Sequence, residues 1–145
     1  MKFTSFILPL LVIFVAACAD NLDEEKRTIE KYIISNGWKT IDTSGVYVFI
    51  EDQGTADHPI ESSEIELSYT AKYIDDVVFD QSPADRNVTL KLSSAIKGLK
   101  YGLAKFGKEG KGTIIIPSNL GYGNNPPFGI RKGAVLIYNV TIINF

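Results

Sequence analysis

The sequence predicts an α+β fold: an antiparallel β-sheet packed on one helix, with an extra helix on its N-terminal side. Three observations carry this expectation. Ile65, Leu67, Tyr69, Ala71 and Tyr73 alternate with Glu66, Ser68, Thr70 and Lys72, which is the two-residue period of a half-buried strand. Ile96, Leu99, Leu103 and Phe106 then fall at spacings of three, four and three, which is one face of a helix. Finally, Ala134 to Phe145 reads as a long strand with Leu136, Tyr138, Val140 and Ile142 on one side. Several antiparallel strands with one packed helix define the class.

Residues 1–17 read as an address and not as part of the fold. Lys2 gives a positive end, Phe6 to Val15 is an apolar run, and Ala16-Ala17 are small residues directly before Cys18. Such a run is shorter than the roughly 20 apolar residues of a spanning helix and fits a secretory signal. Val15-Ala16-Ala17-Cys18 resembles the bacterial lipobox, whose cysteine is acylated and becomes the new N-terminus. That resemblance implies a lipid (palmitate-type) anchor at Cys18 and a place in the bacterial cell envelope, with the outer membrane, periplasmic or surface face, favoured. Residues 18–44 would then comprise the lipidated cysteine, an acidic stretch (Asp20, Asp23, Glu24, Glu25) that reads either as a solvated spacer or, by resemblance, as a surface-export signal, and an amphipathic helix over Asp23–Asn36. Ile29, Tyr32 and Ile33 form its apolar stripe, with Glu25, Lys26, Glu30 and Lys31 opposite. Gly37 stands where a helix C-terminus wants one, and Trp38 and Ile41 are expected to fold back onto the domain that follows.

From residue 45 onward the chain reads as one unit. Val46–Ile50 is a strand, Asp52-Gln53-Gly54 a turn, Ile65–Tyr73 the long strand, Asp75-Asp76 a turn, and Val77–Phe79 its return. Val88, Leu90 and Leu92 alternate in a further strand. The helix at Ile96–Phe106 contains Gly98 and Gly102, each costing about 1 kcal/mol relative to alanine. Two such residues beside the apolar face predict close packing against a flat surface such as a sheet. Gly107 is expected to end the helix. Thr113–Ile116 is a strand, Gly121-Tyr122-Gly123 a turn, and Asn124–Gly133 a loop.

Composition narrows the chemistry. The 145-residue chain has 15 Lys and Arg against 17 Asp and Glu, so the basic excess of a nucleic-acid binder is missing. One Cys and one His exclude an internal disulfide, fall short of the three or four ligands of a Cys/His metal site, and confine a Ser-His-Asp triad to His58. No metal and no cofactor is expected.

In register over residues 45–145, several segments resemble the FKBP-type peptidyl-prolyl isomerases. They are Gly45-Val46-Tyr47-Val48, Leu67-Ser68-Tyr69-Thr70-Ala71, Val78-Phe79-Asp80-Gln81-Ser82, Ala95-Ile96-Lys97-Gly98-Leu99, Gly107-Lys108-Glu109-Gly110 and Ile116-Pro117-Ser118-Asn119-Leu120-Gly121-Tyr122-Gly123. The resemblance implies an FKBP-like bent antiparallel β-sheet wrapped around one α-helix. It also implies a pocket. Tyr69, Phe79, Asp80 and Tyr122 take the catalytic positions. Val88, Leu90, Ala95, Ile96, Leu99, Ile130 and Tyr138 take substrate-binding positions. From periodicity alone Tyr69 and Phe79 would be core and Asp80 a turn-forming acid; Tyr122, between two glycines in a loop, fits contact with a partner better than core.

Three positions depart from the family pattern: Leu99 stands where the pocket floor is often tryptophan, and Val88 and Leu90 replace aromatic walls. Less contact area means a weaker grip on proline. The leading expectation is a lipid-anchored isomerase, of modest activity, that assists folding of exported proteins by acting on their proline-containing segments as a monomer. A non-catalytic chaperone or proline-segment binding module on the same fold is the alternative, and a structural envelope component a third.

Overall fold

The computed structural model describes residues 13–145, with side chains from Leu22 onward. The expected export signal at 1–17 and the expected lipidation of Cys18 therefore lie, in whole or in their side chains, outside the described residues. Among the described residues no helix is long and apolar enough to cross a membrane.

The chain order is α1 (Ile13–Ser35), β1 (Ile41–Thr43), β2 (Val46–Asp52), β3 (Glu64–Tyr73), β4 (Val78–Gln81), β5 (Val88–Lys91), α2 (Lys97–Leu103), β6 (Lys111–Ile116) and β7 (Leu136–Asn144). Short 3₁₀ turns occupy Leu92–Ser94 and Ser118–Leu120. The strands form one antiparallel sheet ordered β1-β2-β6-β7-β3-β4, and β5 pairs with the first half of β3. β3 is the hub, bonded to β7 along most of its length and to β5 and β4 in turn on its other edge.

Alternation decides which side chains face α2. Val46, Val48, Ile65, Leu67, Ile114, Ile116, Leu136, Val140 and Ile142 are all buried with Leu99, Leu103 and Phe106 in a single core. Gly98 and Gly102 let α2 lie against that sheet face. A Cβ on Gly98 would stand 2.3 Å from Ile116 Cγ2, and one on Gly102 would stand 2.4 Å from Ile114 Cγ2. The predicted close approach is therefore the reason for both glycines.

The opposite face carries α1. Ile29 is 1% exposed and packs with Ile115, Val135 and Ile137, flanked by Tyr32, Ile33 and Trp38. Trp38 folds back as expected and stacks on Phe49, centroids 5.1 Å apart and planes at 9°. Gly37 adopts φ 65 at the helix end, and the Trp38 amide donates to the Ile33 carbonyl at 3.1 Å, a left-handed C-terminal stop.

Several expectations need correction. The helix expected over 23–36 begins at Ile13, upstream of the acidic residues, so those residues are helical and not a spacer. Glu25 is not on the solvent side: its Oε1 accepts the Ser118 amide at 2.9 Å, so this carboxylate faces the domain. Ile41 joins the domain as expected, paired with Val48 on the edge strand β1, where its side chain stays 45% exposed. α2 ends at Leu103, before Gly107. Gly107 serves a different contact, since a Cβ there would meet the Thr55 carbonyl oxygen at 2.0 Å.

Candidate functional site

The site lies where β3, β4, β5, the entry to α2, the turn before Asn124 and β7 meet. Its residues enclose a cavity of about 400 Å³ lined by Leu67, Tyr69, Asp80, Val88, Thr89, Leu90, Ser94, Ala95, Ile96, Leu99, Tyr122 and Tyr138. That is large enough for a proline ring and its neighbours. A wider cleft of about 750 Å³ runs between α1 and the segments around Ser118 and Arg131, but it is more open and lacks the converging aromatic side chains.

Each wall follows from local structure. β3 alternation points Leu67 and Tyr69 the same way as Ala71. β5 pairs Leu67 with Val88 and Ile65 with Leu90, so those aliphatic side chains close the side of the cavity. The 3₁₀ turn at Leu92–Ser94 and the extended Ala95-Ile96 pair carry the chain directly into α2. Leu99, 7% exposed, then forms the floor. Tyr122 is held in a tight turn, where the Gly121 and Gly123 amides both donate to the Ser118 carbonyl, at 3.2 and 2.9 Å.

The polar groups are few and ordered. The Tyr69 hydroxyl donates to Asp80 Oδ2 at 2.7 Å, and Asp80 Oδ1 accepts the Gln81 amide at 2.9 Å. Ser82 fixes the backbone behind them: its amide donates to the Tyr69 carbonyl at 2.9 Å and its Oγ accepts the Tyr69 amide at 3.1 Å. Burial, and then the neighbouring Asp80 carboxylate, push the Tyr69 phenol up to about 12. Burial pushes Tyr138 up as well, with Tyr122, Tyr69 and Asp80 adding to it. Both phenols are thus neutral at any physiological pH, and they present hydroxyl dipoles to an apolar cavity.

Of the residues singled out from sequence, Tyr69, Asp80, Val88, Leu90, Ala95, Ile96, Leu99, Tyr122 and Tyr138 line this cavity together. Phe79 does not line it. It stands behind the wall, stacked on Tyr73 at 4.6 Å and edge-on to Tyr138 at 6.2 Å. Ile130 does not line it either: its amide closes a turn onto the Pro127 carbonyl at 3.1 Å within the 124–133 loop. Leu67, Thr89 and Ser94 line the cavity and were not singled out. Alternation with Tyr69 was a sufficient signal for Leu67; Thr89, on the opposite alternation phase from Val88 and Leu90, gave none. Among the described residues there is no cluster of His, Cys, Asp or Glu that could hold a metal ion.

Residues 56–143, well over half the chain, match the family model described as FKBP-type peptidyl-prolyl cis-trans isomerase. The chain is 31% identical over 127 residues to the FKBP-type peptidyl-prolyl cis-trans isomerase FkpA of Escherichia coli K12, covering 87% of this chain and 47% of that protein. It is 31% identical over 103 residues to a probable FKBP-type isomerase of Haemophilus influenzae, covering 70% of this chain and 43% of that protein. The chain thus spans about half the length of the curated relatives it matches. The crystal structure of Escherichia coli FkpA superimposes with a TM-score of 0.74 at 28% identity, over 90% of this chain and 61% of that one. A peptidyl-prolyl isomerase structure from Pseudomonas syringae pv. tomato gives 0.73 at 23% identity, over 86% and 92%, and shares the fold.

Proposed function

This chain belongs to the FKBP-type peptidyl-prolyl cis-trans isomerase family, and from that premise we propose that it catalyses rotation about X-Pro peptide bonds in the cavity described above. The observation that carries the reading is the open, mainly apolar cavity with the Tyr69–Asp80 pair on one wall and Tyr122 and Tyr138 on the others.

Rotation about an X-Pro bond meets a barrier of about 20 kcal/mol because it breaks amide resonance. No covalent bond is made or broken, so the site needs neither a nucleophile nor a metal. The planar amide is the more polar state, and moving it from water into an apolar cavity disfavours it relative to the twisted state. Val88, Leu90, Ile96 and Leu99 supply that surface. The Tyr69 hydroxyl is committed to Asp80, so the pair fixes a wall and its dipole and leaves the Tyr122 turn to contact the peptide. Preorganised groups of this kind act on the transition state without reorganising.

We further propose the setting: an export signal at 1–17, lipidation at Cys18, attachment to a bacterial envelope membrane, and proline-containing segments of exported proteins as the substrates of a monomer. The residues that support this are the apolar run and Val15-Ala16-Ala17-Cys18. Palmitate labelling lost on Cys18→Ser is the expected outcome, and unchanged labelling would exclude the anchor at that residue. A client-holding role is the second reading. Phe128, fully exposed at the tip of its loop, favours it.

The deciding experiment for catalysis measures cis-to-trans isomerisation of a proline tetrapeptide series, with the Tyr122→Ala, Asp80→Ala double variant alongside. Acceleration that the folded double variant loses supports the assignment. A folded parent chain that accelerates no member of the series, while still binding unfolded proteins, overturns catalysis in favour of holding.

A further inference from the structure

The 124–133 loop closes at its base, where the Gly133 amide donates to the Gly123 carbonyl at 2.8 Å. Near its end, Arg131 fastens it to the far end of β3 by three contacts. The Arg131 backbone amide donates to the Tyr73 hydroxyl at 3.0 Å. Its guanidinium lies 4.3 Å from the centre of the Tyr73 ring. Its Nη1 donates to Asp75 Oδ2 at 2.6 Å.

These contacts differ in weight. The Arg131 and Asp75 side chains are 49% and 51% exposed, and an ion pair so open to water contributes little. Tyr73, in contrast, is 4% exposed, and a planar cation resting on a buried ring is the stronger of the two contacts. Tyr73 stacks on Phe79, and Phe79 meets Tyr138 edge-on. Tyr138 is a wall of the cavity. A continuous line of contacts therefore joins Arg131 to the cavity, although Arg131 itself lines only the neighbouring cleft. Through Gly133 and Gly123 the same residue also restrains the turn that presents Tyr122.

We infer that Arg131 is a positioning residue for the proposed isomerase site, holding the 124–133 loop and the Tyr73–Phe79–Tyr138 stack in the arrangement that captures a proline-containing segment. The inference rests on the isomerase reading above. Because Arg131 does not face the cavity, it acts on capture and not on the rotation step.

The test uses the full chain with Arg131→Ala, Arg131→Lys and Asp75→Asn, reading KM and kcat on a proline tetrapeptide together with hydrogen exchange of the 123–133 amides. Arg131→Ala is expected to raise KM about three- to tenfold, to leave kcat unchanged, and to speed exchange at Arg131 and Gly133. Arg131→Lys keeps the charge for Asp75 but loses the planar stack, so its KM falls between Arg131→Ala and the parent. Asp75→Asn has the smallest effect of the three. An Arg131→Ala variant with unchanged KM and unchanged exchange overturns the inference, as does a fall in kcat at constant KM. If the parent chain proves inactive, the isomerase reading fails by itself; Kd for the same peptide then replaces KM, and the same ranking of variants decides the positioning role.

Discussion

The two faces of the sheet are buried by different means. The face toward α2 is covered by a helix that lies against β2 and β6, brought within contact by Gly98 and Gly102. Its core runs without a break into the walls of the candidate site, because Leu67, Leu99 and Tyr138 belong to both. The face toward α1 holds a smaller cluster, Ile29 on Ile115, Val135 and Ile137. Much of the rest of that face is polar, with the buried Thr113 Oγ1 donating to Asn139 Oδ1 at 3.0 Å. The difference teaches that fold and cavity depend on one face, while the other anchors an additional helix.

The largest expected effects separate the two. Phe106 is 0% exposed in the α2-side core, and Phe106→Ala should cost about 3–5 kcal/mol in urea unfolding. Ile29→Ala on the other face should cost about 2 kcal/mol, the low end for such a truncation, because α1 covers a small cluster. It should also leave tetrapeptide isomerisation unchanged. Equal losses of stability, or loss of activity in a folded Ile29→Ala chain, would break the distinction.

Gly102 sharpens it further. In an exposed helix, glycine to alanine gains about 1 kcal/mol. Here the new methyl would meet Ile114 side-chain carbons at 2.4 to 2.9 Å, so overpacking should win and cost about 1–3 kcal/mol. The sign alone decides, and a stabilised Gly102→Ala chain would mean that α2 sits less closely on the sheet than described.

At the cavity the expected change is in activity more than in stability. Tyr69→Phe removes the hydroxyl that donates to Asp80 and leaves the carboxylate without that partner. A hydrogen bond to a charged group contributes about 1.5–3 kcal/mol, and kcat/KM should fall at least tenfold if the pair fixes the wall. An active Tyr69→Phe chain would shift the weight of the site onto Tyr122 and Tyr138.

How far this arrangement was legible follows the same division. Period-two alternation in β3 and β7 gave the α2 face outright, since Leu136, Tyr138, Val140 and Ile142 are buried as their spacing requires. The helical spacing of α2 and its two glycines gave the close approach. Ile137 was not legible as core: its burial at 0% exposure exists only because α1 docks there, and no local pattern encodes a docking. Glu25 failed for the same reason, as a helical acid looks solvated until a partner amide such as that of Ser118 is known. The cavity walls came largely from family resemblance, with spacing unable to tell a pocket tyrosine from a core one. Arg131 carried no signal, because its partners Tyr73 and Asp75 lie more than fifty residues away.

The smallest effect lies in alkaline solution and again compares the faces. An unfolded tyrosine ionises near 10, whereas burial and Asp80 push Tyr69 up to about 12 in the folded chain, and burial raises Tyr138 too. A phenol that binds its proton more tightly when folded adds stability that is fully present below pH 10. That stability is lost as pH rises toward 12. Stability should therefore be insensitive to these two groups at neutral pH and fall between pH 10 and 12, and Tyr69→Phe should flatten that fall. Tyr32 and Tyr47 on the α1 side are also raised, chiefly by burial, so both faces resist ionisation, the cavity more strongly. Phenolate absorbance followed through the same range should show a subset of tyrosines that ionise only as the chain unfolds. If every tyrosine titrates together near pH 10 in a folded chain, the cavity is wetter than its walls imply, and an apolar environment for the twisted amide loses its physical basis.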